Sequence, residues 1–157
     1  MVADQQRDII NEAFRTVRTK LEFTMGFDGQ NKVVMVTSMN PGSGKTFITA
    51  NLATAYALKG KRVLIMDLDL RKASLSEYVG NPQMGISNYL SGQIDDWHEI
   101  ITPLGQVDCL PSGVIPPNPA ELLSTPRFKA MIEAVREEYD LIFMDCPPVE
   151  IVADAEI

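Results

Sequence analysis

The chain of 157 residues is the length of one domain, long enough to bury roughly two-thirds of its unfolded surface around a single core. With 45% hydrophobic and 22% charged residues it has the make-up of an ordinary soluble globular protein. A net charge of −7, with no Lys or Arg between Ala73 and Pro126, argues against a nucleic-acid-binding surface.

The N-terminus is polar and lacks the apolar stretch of a signal peptide, and no run in the chain reaches bilayer-crossing length. The polypeptide is therefore expected to be soluble and cytoplasmic. Residues Asp4 to Met25 read as a helix, because Ile10, Phe14, Val17 and Leu21 recur at helical spacing and form one stripe. Glu12, Arg15 and Arg18 fall on a different side of it, and the plainest reading is a solvated face with weak ion pairs. A helix ahead of the first strand is an addition to a minimal fold, and such additions often make contacts between subunits. Phe27-Asp28-Gly29-Gln30-Asn31 then turns the chain into its first strand.

That strand is the β-branched run at residues 32–38, and residues 47–58 read as a helix stopped by Gly60. Between them lies Met39-Asn40-Pro41-Gly42-Ser43-Gly44-Lys45-Thr46. A strand, a glycine loop ending Gly-Lys-Thr and a helix form the context of a phosphate-binding P-loop. Small residues let successive backbone N–H groups turn onto phosphate oxygens, and the helix N-terminus adds partial positive charge. Pro41, Gly42, Ser43, Gly44, Lys45 and Thr46 are the candidate nucleotide contacts, with Lys45 reaching the β- and γ-phosphates and the Thr46 hydroxyl joining a magnesium shell. The general pattern has Gly where Met39 stands, so this loop alone is equally a tight strand-to-helix turn.

A second apolar strand at residues 62–67 continues as Leu68-Asp69-Leu70-Arg71. An apolar run ending in carboxylates is a buried parallel strand delivering acids to the sheet's C-terminal edge. Asp67 and Asp69 are two apart and, on an extended chain, point the same way. Beside a triphosphate they would hold or orient magnesium, and one could accept a proton. The plainer alternative is an Asp-rich turn capping the next short helix.

Short helices are expected at residues 74–79 and 85–92, the latter closed by Gly92. Trp97 reads as a packing anchor in a turn, and His98, without partners for a metal, as surface filler. A third strand covers residues 106–111. Cys109 within it and Cys146 further on sit on separate apolar runs and read as buried thiols in a reducing compartment. The proline-rich loop that follows feeds a helix, with Asn118 as cap, Pro119 at the first position and Glu121 completing a capping-box arrangement. Thr125-Pro126 begins another helix, at residues 127–138. Residues 140–145 are a fourth strand, and its terminal Asp145, followed by Cys146-Pro147-Pro148, has the form of a Walker B carboxylate. The three elements in this order point to nucleotide binding on an α/β, doubly wound, mostly parallel P-loop NTPase sheet. Residues 1–157 are expected to be a single domain, with 1–30 as an N-terminal helix and turn and 31–157 as the core. Sheets of this kind generally carry another strand after Walker B, so the sequence is expected to end before the fold does.

These residues resemble the cytoplasmic catalytic domain of the bacterial tyrosine kinases (BY-kinases) that regulate capsular and exopolysaccharide synthesis and export. The resemblance rests on the loop from Ser38 to Thr46, on Leu64-Ile65-Met66-Asp67-Leu68-Asp69-Leu70-Arg71 as the family's second acidic motif, Walker A′, and on Ile142-Phe143-Met144-Asp145-Cys146-Pro147 as its Walker B. It extends to the Pro-Pro-Asn-Pro-Ala-Glu-Leu-Leu stretch and to the Glu-x-x-Arg-x-x-Arg pattern of Glu12, Arg15 and Arg18, which in the family serves ring-shaped self-assembly. The family's tyrosine-rich tail has no counterpart, since Tyr56, Tyr78, Tyr89 and Tyr139 are scattered.

The resemblance implies transfer of the ATP γ-phosphoryl group to a tyrosine hydroxyl, with autophosphorylation. Lys45, Asp67 and Asp69 are the expected catalytic residues, with Asp67 as the base and Lys45 neutralising phosphate charge. Thr46, Asp67, Asp69 and Asp145 would hold magnesium or its waters, while Arg71 could contact phosphate or pair with an acid. It also implies a ring-like homo-oligomer at the inner face of the cell membrane, reached through a membrane-anchored activator or co-polymerase portion, fused or separate. Two other readings remain: a partition- or septum-type ATPase switch, whose loop usually has Lys where this chain has Asn40, and an idle nucleotide-dependent assembly module.

Overall fold

The structure is a computed structural model that describes residues 4–26, 32–40, 42 and 44–148. The expected turn at residues 27–31, Pro41, Ser43 and the stretch after Pro148 lie outside the described residues. Among the described residues five strands build one sheet: β1 (Lys32–Val36), β2 (Val63–Asp67), β3 (Thr102–Leu104), β4 (Val107–Leu110) and β5 (Leu141–Asp145). Their order is β1-β5-β2-β4-β3, parallel throughout except where β3 runs antiparallel to β4. The mostly parallel, doubly wound architecture expected from the sequence is the one found.

The order follows from hydrophobicity. Every residue of β2 and β5 is buried, so both strands are internal and covered on both faces. β1 is only partly buried and, among the described residues, pairs with β5 alone. The edge strand β3 was not expected. It is three residues long and has Pro103 in its middle, features that hide a strand in sequence yet suit an edge. The strand expected at residues 106–111 is β4.

Among the described residues six α-helices flank the sheet: α1 (Asp4–Met25), α2 (Lys45–Ala57), α3 (Ser74–Glu77), α4 (Ile86–Leu90), α5 (Pro119–Leu123) and α6 (Pro126–Glu138). Alternate residues of the central strands face opposite ways. Ile65 and Phe143 pack with Leu52 and Tyr56 of α2, with Phe14 and Leu21 of α1 behind them. Leu64, Met66, Ile142 and Met144 pack on the other face with residues of α4, α5 and α6. Trp97 opens a 3-10 turn (Trp97–Ile100) and is buried in that second core, as its reading as an anchor required.

Three local expectations need correction. α1 has the expected span, but Val17 is 43% exposed and Arg18 is half-buried in its place. The helix is rotated so that Arg18 Nη1 donates to the Ala55 carbonyl at 2.8 Å and the buried Glu22 carboxylate accepts Lys59 Nζ at 2.9 and 3.0 Å. Polar side chains whose partners lie on α2 or just past its end displace an apolar one from the seam, which spacing alone cannot foresee. At α5, Asn118 is the N-cap, but its side chain caps no backbone N–H and instead donates Nδ2 to Glu121 Oε2 at 3.2 Å. His98 is no filler. It stacks on Trp97 and bridges Asp96 and Glu138 at 2.6 and 2.7 Å, tying the 3-10 turn to the end of α6.

Candidate functional site

β1 ends at Val36 and α2 begins at Lys45, so the intervening loop must reverse the chain over the sheet's C-terminal edge. Gly42 and Gly44 meet that demand with φ of 75° and 83°, where a side chain would strain the backbone. Gly44 is the residue immediately before α2, and its carbonyl accepts the Ile48 N–H at 3.0 Å, fixing the helix start. Lys45 and Thr46 thereby open the helix pointing at the strand ends. The Lys45 ammonium bonds Asp145 Oδ1, and Thr46 Oγ1 donates to Asp145 Oδ2 at 3.0 Å.

Asp145 and Asp67 are register partners on adjacent parallel strands, and both are fully buried. The structure therefore gathers Lys45, Thr46, Asp67 and Asp145 at one edge. Asp69 is close by, 5% exposed, on the wall of a cleft of about 350 Å³ that Ser38, Gly44, Lys45, Thr46 and Tyr78 also line. Asp67 and Asp69 were expected to point the same way along an extended chain, but only Asp67 lies on the strand. β2 stops at Asp67, whose Oδ1 accepts the Asp69 N–H at 3.2 Å, and the chain turns just beyond, at residues 70–72. Asp67 Oδ2 is held by Ser76, through its N–H at 3.0 Å and its hydroxyl at 2.7 Å. Asp69 Oδ1 in turn accepts the Lys72 N–H at 3.1 Å. Arg71 is exposed.

Burial dominates the electrostatics. It pushes the Asp67 carboxyl from 3.8 up to about 7, against the Ser76 hydroxyl bond, with the Asp145 charge adding to the rise. Burial also raises Asp145, while Lys45 and Thr46 oppose it. Crowded carboxylates of this kind favour a cation. Among the described residues no three acidic, imidazole or thiol side chains form a metal cage by themselves. The donor set is instead one strand-end carboxylate beside a hydroxyl at a P-loop, which suits magnesium, an ion usually bound by one or two carboxylates together with phosphate oxygens and water. The residues present fit a magnesium–nucleotide.

The expected assembly trio is not brought together. Arg15 pairs with Glu12 at 3.4 Å on the exposed face of α1, whereas Arg18 is turned onto α2. Ser76 and Ser112 were missed, and no spacing rule marks them, because Ser76 finds its partner Asp67, and Ser112 its partner Ser76, on another element. Among the described residues no helix is long and apolar enough to cross a membrane.

A family model for an AAA domain matches residues 31–154. The putative tyrosine-protein kinase AmsA of Erwinia amylovora is 40% identical over 153 residues, covering 96% of this chain and 21% of that protein. The chain thus spans about a fifth of the length of the curated relatives it matches. The kinase domain of the Escherichia coli tyrosine kinase ETK is similar in structure, with a TM-score of 0.86 and 36% identity over 92% of this chain and 57% of that one. The VpsO kinase domain gives a TM-score of 0.79 and 30% identity over 98% of this chain and 77% of that one.

Proposed function

The chain belongs to the bacterial tyrosine-protein kinase family, and on that premise we propose that it transfers the γ-phosphoryl group of ATP to tyrosine hydroxyls. The observation that carries the reading is the meeting of Lys45 and Thr46 on Asp145, whose register partner on the neighbouring strand is Asp67. A P-loop lysine and two strand-end acids at one edge are the parts that phosphoryl transfer needs.

In the proposed reaction the backbone N–H groups around Gly42, Ser43 and Gly44 hold the phosphates, and Lys45 offsets the charge that grows on them. Magnesium, when bound, draws negative charge off the phosphate oxygens; Thr46 and Asp145, with Asp69, would hold it or its waters. A tyrosine phenol has a pKa of about 10 and reacts faster with a base at hand. Its oxygen attacks the γ-phosphorus, the bond to the β,γ-bridging oxygen breaks, the phenol proton passes to Asp67, and ADP leaves. Asp67 Oδ1 accepts only the Asp69 N–H among the described residues, so it retains a lone pair for that proton.

Autophosphorylation, control of exopolysaccharide or capsule export, a ring of copies assembled through α1, and a place at the inner face of the membrane beside an activator portion complete the proposal. Lys45→Met is the test. The variant should keep the circular dichroism of the parent and lose phosphotyrosine formation by at least about a hundredfold. Parental rates in that variant would refute the assignment.

A further inference from the structure

Behind Asp67 lies a chain of polar groups that no motif marks. Ser76 on α3 is 2% exposed, and Ser112, just past β4, is 1% exposed. Ser76 Oγ lies 2.7 Å from Asp67 Oδ2, 3.0 Å from the Ser112 backbone N and 3.2 Å from Ser112 Oγ. A hydroxyl has one proton and two lone pairs. The Ser76 proton is given to the carboxylate, so across the 3.2 Å contact Ser112 is the donor. Ser76 Oγ then gives one bond and receives two, and its proton has a single direction to point.

That saturation fixes Asp67 as well. Oδ2 is taken by two donors from Ser76, and Oδ1, with one bond from Asp69, is the oxygen with capacity left. A buried network in which every member is satisfied holds its side chains in one arrangement. Three separate parts of the fold, β2, α3 and the turn after β4, meet in it.

We propose that Ser76 is a positioning residue for phosphoryl transfer, acting through Asp67, with Ser112 aiming the Ser76 hydroxyl. The inference rests on the reading above, in which Asp67 takes part in the reaction. It adds that the orientation of Asp67 is set from α3 and β4 rather than from the P-loop.

Ser76→Ala, Ser112→Ala and the double variant test it in the whole chain with ATP and magnesium. The readouts are kcat and KM for ATP hydrolysis and for tyrosine phosphorylation, affinity for a fluorescent ADP, and thermal melting. Ser76→Ala should lower kcat about tenfold to a hundredfold, the effect of one hydrogen bond to a charged group. KM and ADP affinity should stay within about twofold, because Lys45 and Thr46 are untouched. Ser112→Ala should give a smaller fall, and the double variant should be no worse than Ser76→Ala, since both act through one hydroxyl. An unchanged kcat, a fall that tracks lost ADP affinity and melting temperature, or additive effects would each overturn the proposal. Should the parent hydrolyse ATP without phosphorylating tyrosine while the variants keep this pattern, the kinase reading falls and the positioning role stands. Should it phosphorylate tyrosine with the variants unaffected, the reverse holds. A parent that binds no nucleotide removes both.

Discussion

Asp67 is ionised in the unfolded chain above about pH 4, but in the fold its burial carries the carboxyl up to about 7. Between those values the folded state holds the proton more firmly than the unfolded state does. The linkage slope is then negative, so Asp67 makes the protein lose stability as pH rises through that window. Asp67→Asn has no such titration. In metal-free buffer its melting temperature relative to the parent should rise from about pH 4 and level off above about pH 7, and a pH-independent difference would show that burial is not what shifts this group. That a strand should deliver Asp67 and Asp145 to a phosphate site was legible in the sequence, because strand direction and the P-loop fix which edge they occupy. The oxygens each one spends on its neighbours were not, since Ser76 reaches Asp67, and Ser112 reaches Ser76, only through the fold.

At the scale of elements, α1 carries two kinds of arginine. Arg15 is exposed beside Glu12, while Arg18 is bound to the backbone of α2, with its Nε buried and without a partner among the described residues. Arg15→Glu should alter the light-scattering mass if copies assemble through this face, and should leave the melting temperature alone. Arg18→Ala should lower the melting temperature by removing the bond to Ala55 and the packing of the stem, an effect of about 1–2 kcal/mol. Equal effects of both substitutions on both readouts would reject the separation.

A second element junction is where α4 crosses the turn after β4. The N–H groups of Ile86 and Ser87 donate to the carbonyls of Pro111 and Ser112 at 2.8 and 2.9 Å. Such closeness leaves no room for a side chain: a Cβ on Gly85 would lie 2.3 Å from both the Gly113 nitrogen and the Pro111 carbonyl oxygen. Gly85→Ala should therefore cost about 3 kcal/mol or more, read as a fall in the urea midpoint. A midpoint near the parent value would mean that the crossing can open without penalty. Gly85 was legible as part of a helix with flanking glycines, but not as a contact between elements.

For the molecule as a whole, the sheet couples two cores through shared strands. Ile65 faces α2 and Met66 faces the opposite side, one residue apart on β2, and both are fully buried. Ile65→Ala and Met66→Ala should each cost about 2–5 kcal/mol. The fluorescence of Trp97, which reports one core, and the far-ultraviolet circular dichroism should still change at the same denaturant concentration in both variants. Separate transitions would show that the two faces melt independently.

The sequence by itself determined the types of the long helices and of the four parallel strands, the P-loop context and the edge at which the acids gather. Those features are written in local period, in β-branched runs and in residues that one backbone conformation requires. Only the tertiary structure decided that β5 lies between β1 and β2, that Asp67 faces Ser76, and that Arg18 rather than Val17 enters the seam between α1 and α2. Strand order, side-chain partners and helix rotation depend on groups far apart in the chain, and local sequence carries no information about which of them will meet.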